Sequence, residues 1–144
     1  MREHNGKTYL ENAPHDMEEL REIVAILHGS EGCPWDRKQT HESLKKCLTD
    51  EAEEVLQAID NKDDENLCEE LGDVLLQVLA HCELAKIRGA FEFRDVVQML
   101  SEKLIRRHPH VFGDARMPET EEEALALWRA VKQEEKRQRQ AKDC

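Results

Sequence analysis

At 144 residues the chain has the length of a single domain, enough to bury one core but not two. Its 32 Asp and Glu against 21 Lys and Arg leave a net charge of −11, a field that repels duplex DNA and argues against a nucleic-acid polymer as partner. A small phosphorylated ligand stays compatible, because bound cations and a local basic cluster can reverse the field inside one pocket.

Residues 1–16 are polar and aperiodic and are expected to form a flexible leader. The first predicted helix runs from Met17 to His28 with Leu20, Ile23, Val24 and Leu27 on one face, and stops at Gly29. A turn-rich loop, Gly29 to Asp36, follows. The second helical pattern extends from about Thr40 to Asn61, carried by Leu44, Leu48, Val55 and Ile59. Asp63 or Asp64 can cap a third helix reaching Gly89, whose expected apolar stripe is Leu67, Leu71, Val74, Leu75, Val78, Leu79 and Cys82. A fourth helix spans about Phe93 to Arg107 and ends at His108-Pro109, because the residue before proline is biased out of the helical region. Thr120 and Glu123 make a capping box for a last helix reaching about Arg139, and residues 141–144 form a charged tail.

No segment alternates like a half-buried strand, so the expected fold is all-α, a bundle of about five helices with its functional domain at residues 17–140. Six aromatic residues and several leucine stripes with wide charged faces point to a homodimer or higher oligomer. No apolar run approaches the roughly 18 residues of a membrane span, and residues 1–6 contain no hydrophobic signal region. Five cysteines, at 33, 47, 68, 82 and 144, form neither a C-x-x-C pair nor a zinc grouping. The expectation is a soluble cytoplasmic protein with reduced thiols and no membrane partner, in which Cys47, Cys68 and Cys82 act as small apolar fillers.

Two acidic words carry the best functional clue: Glu51-Ala52-Glu53-Glu54 and Glu70-Leu71-Gly72-Asp73. Each sets two carboxylates three positions apart, on one face of a helix and about one turn apart. At about 100° per residue, Glu70, Asp73 and Gln77 lie along one edge of their helix's apolar stripe. Glu51 and Glu54 flank the other stripe, and Glu53 points away. Antiparallel packing would bring the two acidic edges together. Four carboxylates at close range repel one another unless a cation compensates, and hard oxygen ligands suit Mg²⁺ or Mn²⁺. A solvated acidic face is the alternative that spacing alone leaves open.

Lys103, Arg106 and Arg107 give a cationic face suited to a phosphate subsite, although Lys and Arg in a last turn also stabilise a helix C-terminus. Trp35 and Trp128 are the two tryptophans; either can stack on a base or simply pack, and Lys132 sits one turn beyond Trp128.

Taken together, Gly32-Cys33-Pro34-Trp35-Asp36, the acids Glu51, Glu54, Glu70 and Asp73, the segment Arg106-Arg107-His108-Pro109-His110-Val111-Phe112, and Trp128 followed by Lys132 resemble the MazG family of nucleoside triphosphate pyrophosphohydrolases. The likeness covers about Leu20 to Arg137. It implies an all-α NTP pyrophosphatase that works as a dimer or dimer of dimers. Its implied reaction is Mg²⁺-dependent cleavage of NTPs and dNTPs to monophosphate and pyrophosphate, in nucleotide-pool house-cleaning. By the same resemblance Glu51, Glu54, Glu70 and Asp73 are metal ligands, and Glu51, Glu54, Lys103 and Arg107 are catalytic, one glutamate serving as general base. Lys103, Arg106, Arg107, Trp128, Lys132 and Trp35 are substrate-binding. One departure is Asp50, where the family often has Glu. The alternative is a catalytically weak helical module that binds nucleotide or a protein partner as a regulator. A carboxylate-bridged di-iron bundle is disfavoured because no Glu-x-x-His occurs.

Overall fold

A computed structural model describes residues 2–9 and 14–142. Among these the chain is all-α, with no strand beyond an isolated bridge between His4 and Lys7, and runs α1 (Met17–His28), α2 (Pro34–Arg37), α3 (Lys45–Asp60), α4 (Asp64–Ile87), α5 (Phe93–Arg107), α6 (Pro109–Phe112) and α7 (Glu121–Lys142). Five of these are the expected helices; α2 and α6 are single turns set in the expected loops, each begun by a proline at its first position. The chain divides into two compact units, residues 1–93 and 94–144.

In the first unit, α1 is capped by Asp16, whose Oδ1 accepts from the Glu19 amide at 2.9 Å. Part of the expected leader lies outside the described residues, at 1 and 10–13, as do residues 143 and 144 of the tail. Within residues 2–9, His4 and Lys7 exchange backbone hydrogen bonds of 2.9 Å, and Lys7 and Tyr9 both donate to Glu22 of α1. At the exit of α1, Gly32 runs so close to the helix end that a Cβ there would sit 2.1 Å from the Leu27 carbonyl oxygen. Glycine is required at this position by space.

The second expected helix starts later than its apolar pattern implies. Thr40 and Ser43 cap one another, the Ser43 amide donating to Thr40 Oγ1 at 3.0 Å and the Thr40 amide to Ser43 Oγ at 2.8 Å. This reciprocal bonding closes a separate turn, and α3 begins at Lys45. Asp63 is the α4 cap, accepting from the Asn66 amide at 3.1 Å. The short link through Lys62, with φ 53°, folds α3 and α4 into an antiparallel hairpin, which is the most extensive helix contact; α1 packs on α4 next.

The buried face of α4 differs from the expected stripe. Leu79, Ala80, Cys82, Ala85 and Gln77 are buried, with Val24, Leu44 and Ala58 opposite. Leu71 is 51% exposed and Val78 39%, and Leu48 and Ile59 of α3 are likewise exposed. The apolar residues of α4 occupy more than one side of the helix, and the small residues are the ones that let α1 and α3 approach closely. Among the cysteines Cys82 is buried, Cys47 half-buried and Cys68 exposed, so Cys68 is not the filler expected of it.

In the second unit Thr120 Oγ1 accepts from the Glu123 amide at 3.2 Å, and Glu123 reaches back to the Glu119 amide at 2.9 Å, one residue beyond the usual capping box. None of the described residues of this unit is fully buried, and Met99, Leu100, Leu104, Ile105 and Phe112 are exposed.

Candidate metal centre and phosphate cleft

The α3–α4 hairpin places the acidic words. Seven residues advance a helix by nearly two turns, a drift of about 20°, so Glu51 shares one face of α3 with the buried Leu44 and Ala58. On α4, Glu70, Asp73, Gln77 and Ala80 follow one another at helical spacing toward the buried end of the helix. Glu51, Glu70 and Asp73 are half-buried and Glu54 is exposed, so the carboxylates border the core, as the helical phase predicts. One ligand oxygen from each of Glu51, Glu54, Glu70 and Asp73 falls within 4.8 Å of the others. Glu53 is exposed and outside the group, as its helical phase requires. Asp50 also stays outside, accepting from Lys46 at 2.7 Å.

The four carboxyls crowd one another, and two of them are shifted upward. Glu70 is pushed up to about 7, first by a hydrogen bond with Glu54, then by burial and the charges of Glu54, Asp73 and Glu51. Burial raises Glu51 above the usual carboxylate range, and the charges of Asp73 and Glu54 add to it. Glu51 Oε2 and Glu70 Oε2 are buried without a hydrogen-bond partner. Orphaned buried oxygens of this kind need a donor or a cation. The donor set is all oxygen and carries several charges, so it fits a hard divalent ion.

The second unit builds a basic cleft of about 530 Å³ between α5 and α7, lined by Lys103, Arg106, Arg107, Arg139 and Lys142 around one carboxylate, Glu135. Glu135 Oε1 accepts from Arg106 Nε at 2.6 Å and Arg107 Nε at 3.4 Å, and Oε2 from Arg107 Nη2 at 3.2 Å. The Arg107 guanidinium carbon stands 5.6 Å from the Trp128 ring centroid, and Lys132 Nζ stands 4.5 Å from it. Five of the residues expected to bind substrate thus belong to one neighbourhood, with Lys132 covering the ring of Trp128 on which a base was expected to stack. Trp35, on α2 of the first unit, is 57% exposed.

The sequence reading missed Glu135, Arg139 and Lys142. Their signal was present as the series 128, 132, 135, 139, 142, a single face of α7 at spacings of four and three. It was hidden by the density of charge in that segment. A second unanticipated feature is the stacked pair His41 and His81, with Nδ1 atoms 2.8 Å apart; Arg88 Nε donates to His41 Nε2 at 3.2 Å. Burial first, and then His41, lowers the His81 pKa.

Comparisons with known proteins converge on one group. The family model for the MazG nucleotide pyrophosphohydrolase domain matches residues 39–112. The chain is 60% identical over 98 residues to a Thermotoga maritima protein named nucleoside triphosphate pyrophosphohydrolase/pyrophosphatase MazG, covering 68% of this chain and 38% of that one. It is 40% identical over 126 residues to an Escherichia coli nucleoside triphosphate pyrophosphohydrolase, covering 87% and 48% respectively. It is also 48% identical over 122 residues to the Bacillus subtilis uncharacterized protein YabN, covering 85% of this chain and 25% of that one. The chain therefore spans between a quarter and a half of the length of these relatives. The crystal structure of a mazG-related protein from Thermotoga maritima superposes with a TM-score of 0.68 at 32% identity, over 81% of this chain and 99% of that one.

Proposed function

We propose that this chain, which belongs to the MazG nucleotide pyrophosphohydrolase family, is a Mg²⁺-dependent hydrolase that converts nucleoside triphosphates to monophosphate and pyrophosphate. The observation that carries the reading is the convergence of Glu51, Glu54, Glu70 and Asp73, with two buried carboxylate oxygens lacking any partner. Those four residues would hold the ion, Mg²⁺ with Mn²⁺ as substitute. When bound, it supplies Lewis-acid activation of the phosphoryl group and of the attacking water.

The remaining roles fall to the chain itself. A water oxygen bonds to phosphorus, the bridging P–O bond between the α and β phosphates breaks, and a glutamate, Glu51 or Glu54, takes the water proton. Lys103 and Arg107 offset charge on the phosphate oxygens, Arg106 adds a further donor, and Trp128, Lys132 and Trp35 contact the nucleotide. Contacts of this kind grip phosphate and a ring face rather than base edges, so broad activity on NTPs and dNTPs follows, in keeping with nucleotide-pool house-cleaning in the cytoplasm. No described helix is long and apolar enough to cross a membrane. The exposed apolar residues of α3, α4 and α5 favour a homodimer or dimer of dimers, residues 17–140 acting as one functional domain.

A panel of NTPs and dNTPs with Mg²⁺, and with a chelator in place of Mg²⁺, tests the reading. Turnover that the chelator abolishes supports it. Tight binding of a non-hydrolysable NTP with no turnover of any nucleotide would instead indicate the regulatory module.

A further inference from the structure

We propose that Glu135 is a positioning residue of the phosphate cleft, the anchor that turns Arg106 and Arg107 toward one bound polyphosphate; this rests on the phosphate-binding role assigned above to those arginines. Consecutive residues on a helix point about 100° apart, so Arg106 and Arg107 would by default leave α5 in different directions. Their like charges would separate them further. One carboxylate holds them together: Oε1 takes the Nε hydrogen of each arginine, and Oε2 takes Arg107 Nη2.

The geometry is that of an anchor rather than a competitor for phosphate. The Glu135 side chain is 11% exposed, against 17% for Arg107 and 50% for Arg106, so the carboxylate lies beneath the guanidinium groups it holds. The bonds engage Nε of Arg106 and the Nε–Nη2 edge of Arg107. Among the described residues no protein acceptor takes Arg106 Nη1 or Nη2, or Arg107 Nη1, which leaves those donors for phosphate oxygens. With five cations and one carboxylate, the cleft keeps a net positive charge in a chain of net charge −11. Glu135 also continues the α7 face of Trp128 and Lys132, so it fixes Arg107 against the indole as well. Its carboxyl is held below the usual range by Arg106 and then Arg107, so the anchor stays charged at neutral pH.

The test compares wild type, Glu135→Gln and Glu135→Asp by calorimetry. The probes are inorganic tripolyphosphate and an α,β-imido nucleoside triphosphate, and thermal melts and Mg²⁺ affinity without nucleotide serve as controls. Gln keeps the size but faces Arg107 with an amide donor; Asp keeps the charge on a shorter arm. The expected result is Kd for both probes raised roughly 10- to 100-fold in Glu135→Gln, largely recovered in Glu135→Asp, with Mg²⁺ affinity unchanged and any effect on hydrolysis appearing in KM more than kcat. Unchanged Kd in Glu135→Gln overturns the proposal, and tighter binding would make the carboxylate an inhibitory competitor. A parallel loss of Mg²⁺ affinity and melting temperature in both variants would reduce its role to folding, which also overturns it. If the expected order of Kd holds but wild type hydrolyses no nucleotide, the enzyme reading fails and the positioning role stands. Wild-type hydrolysis with unaffected variants is the reverse case.

Discussion

Replacing Glu54 with Gln should remove one metal ligand and release its neighbour from a proton at the same time. Glu70 is pushed up to about 7, and the leading cause is its hydrogen bond with Glu54. Near neutral pH the cluster therefore retains a proton on Glu70 and its coupled neighbours, and a cation entering the site must displace it. Wild-type protein should release protons on binding metal at pH 7, and more of them at pH 6. In Glu54→Gln the bonding and charge that raise Glu70 are reduced, so proton release at pH 7 should fall toward zero. Metal affinity should drop at least roughly tenfold, since even residues behind the ligands are worth that much at metal sites. Pyrophosphate release should fall roughly 100-fold or more, as when a fixed charge is taken from a reacting centre. Titration calorimetry with Mn²⁺ in two buffers of different ionisation heat measures affinity and proton count together. Unchanged proton release, affinity and turnover would refute the assignment of Glu54 and the electrostatic account of Glu70.

The same carboxyl gives a stability prediction. The folded state holds the Glu70 proton more tightly than the unfolded chain, whose value is near 4.5. Between about pH 4.5 and 7 the native state therefore binds more protons, so metal-free stability should decline as pH rises through this window, and Mg²⁺ should restore it at pH 8. A Glu70→Gln variant whose metal-free melting temperature falls with pH over that range as steeply as the wild type's would contradict this. His81 acts in the opposite sense: its lowered pKa means the native state binds fewer protons, so its contribution is lost as pH falls below 6.5, and His81→Asn should flatten the acid side of the melting profile. Gly32→Ala should cost about 1–3 kcal/mol in chemical denaturation, because its methyl would meet the Leu27 carbonyl at 2.1 Å and neither backbone can yield easily. Arg107→Lys should raise the Kd for tripolyphosphate roughly tenfold despite keeping the charge, since lysine cannot reproduce the two-pronged bond to Glu135 or the planar contact with Trp128.

What was legible in the sequence was local. Asp63 beside Asn66, and Thr120 with Glu123, set their helix starts through bonds three residues long, which spacing reveals directly. Glu51, Glu54, Glu70 and Asp73 could be grouped because two helical phases and one antiparallel turn suffice to bring them together. The buried face itself was not legible, because leucines on several sides of α3 and α4 masked the one chosen by Ala58, Ala80 and Ala85. Leu71 and Ile59 read as core and are exposed in a single copy of the chain. Pairings across long stretches were also hidden: His41 meets His81 40 residues away, and Glu135 meets Arg106 29 away. Nothing local distinguishes Glu135 from Glu134, which pairs instead with Arg137 on its own helix.

The most direct measurement of the central claim follows both phosphorus products of one turnover, by ³¹P NMR of the protein incubated with a nucleoside triphosphate and Mg²⁺. The account predicts nucleoside monophosphate and pyrophosphate in equal amounts, with orthophosphate absent from the first products. Orthophosphate and nucleoside diphosphate as primary products would contradict it.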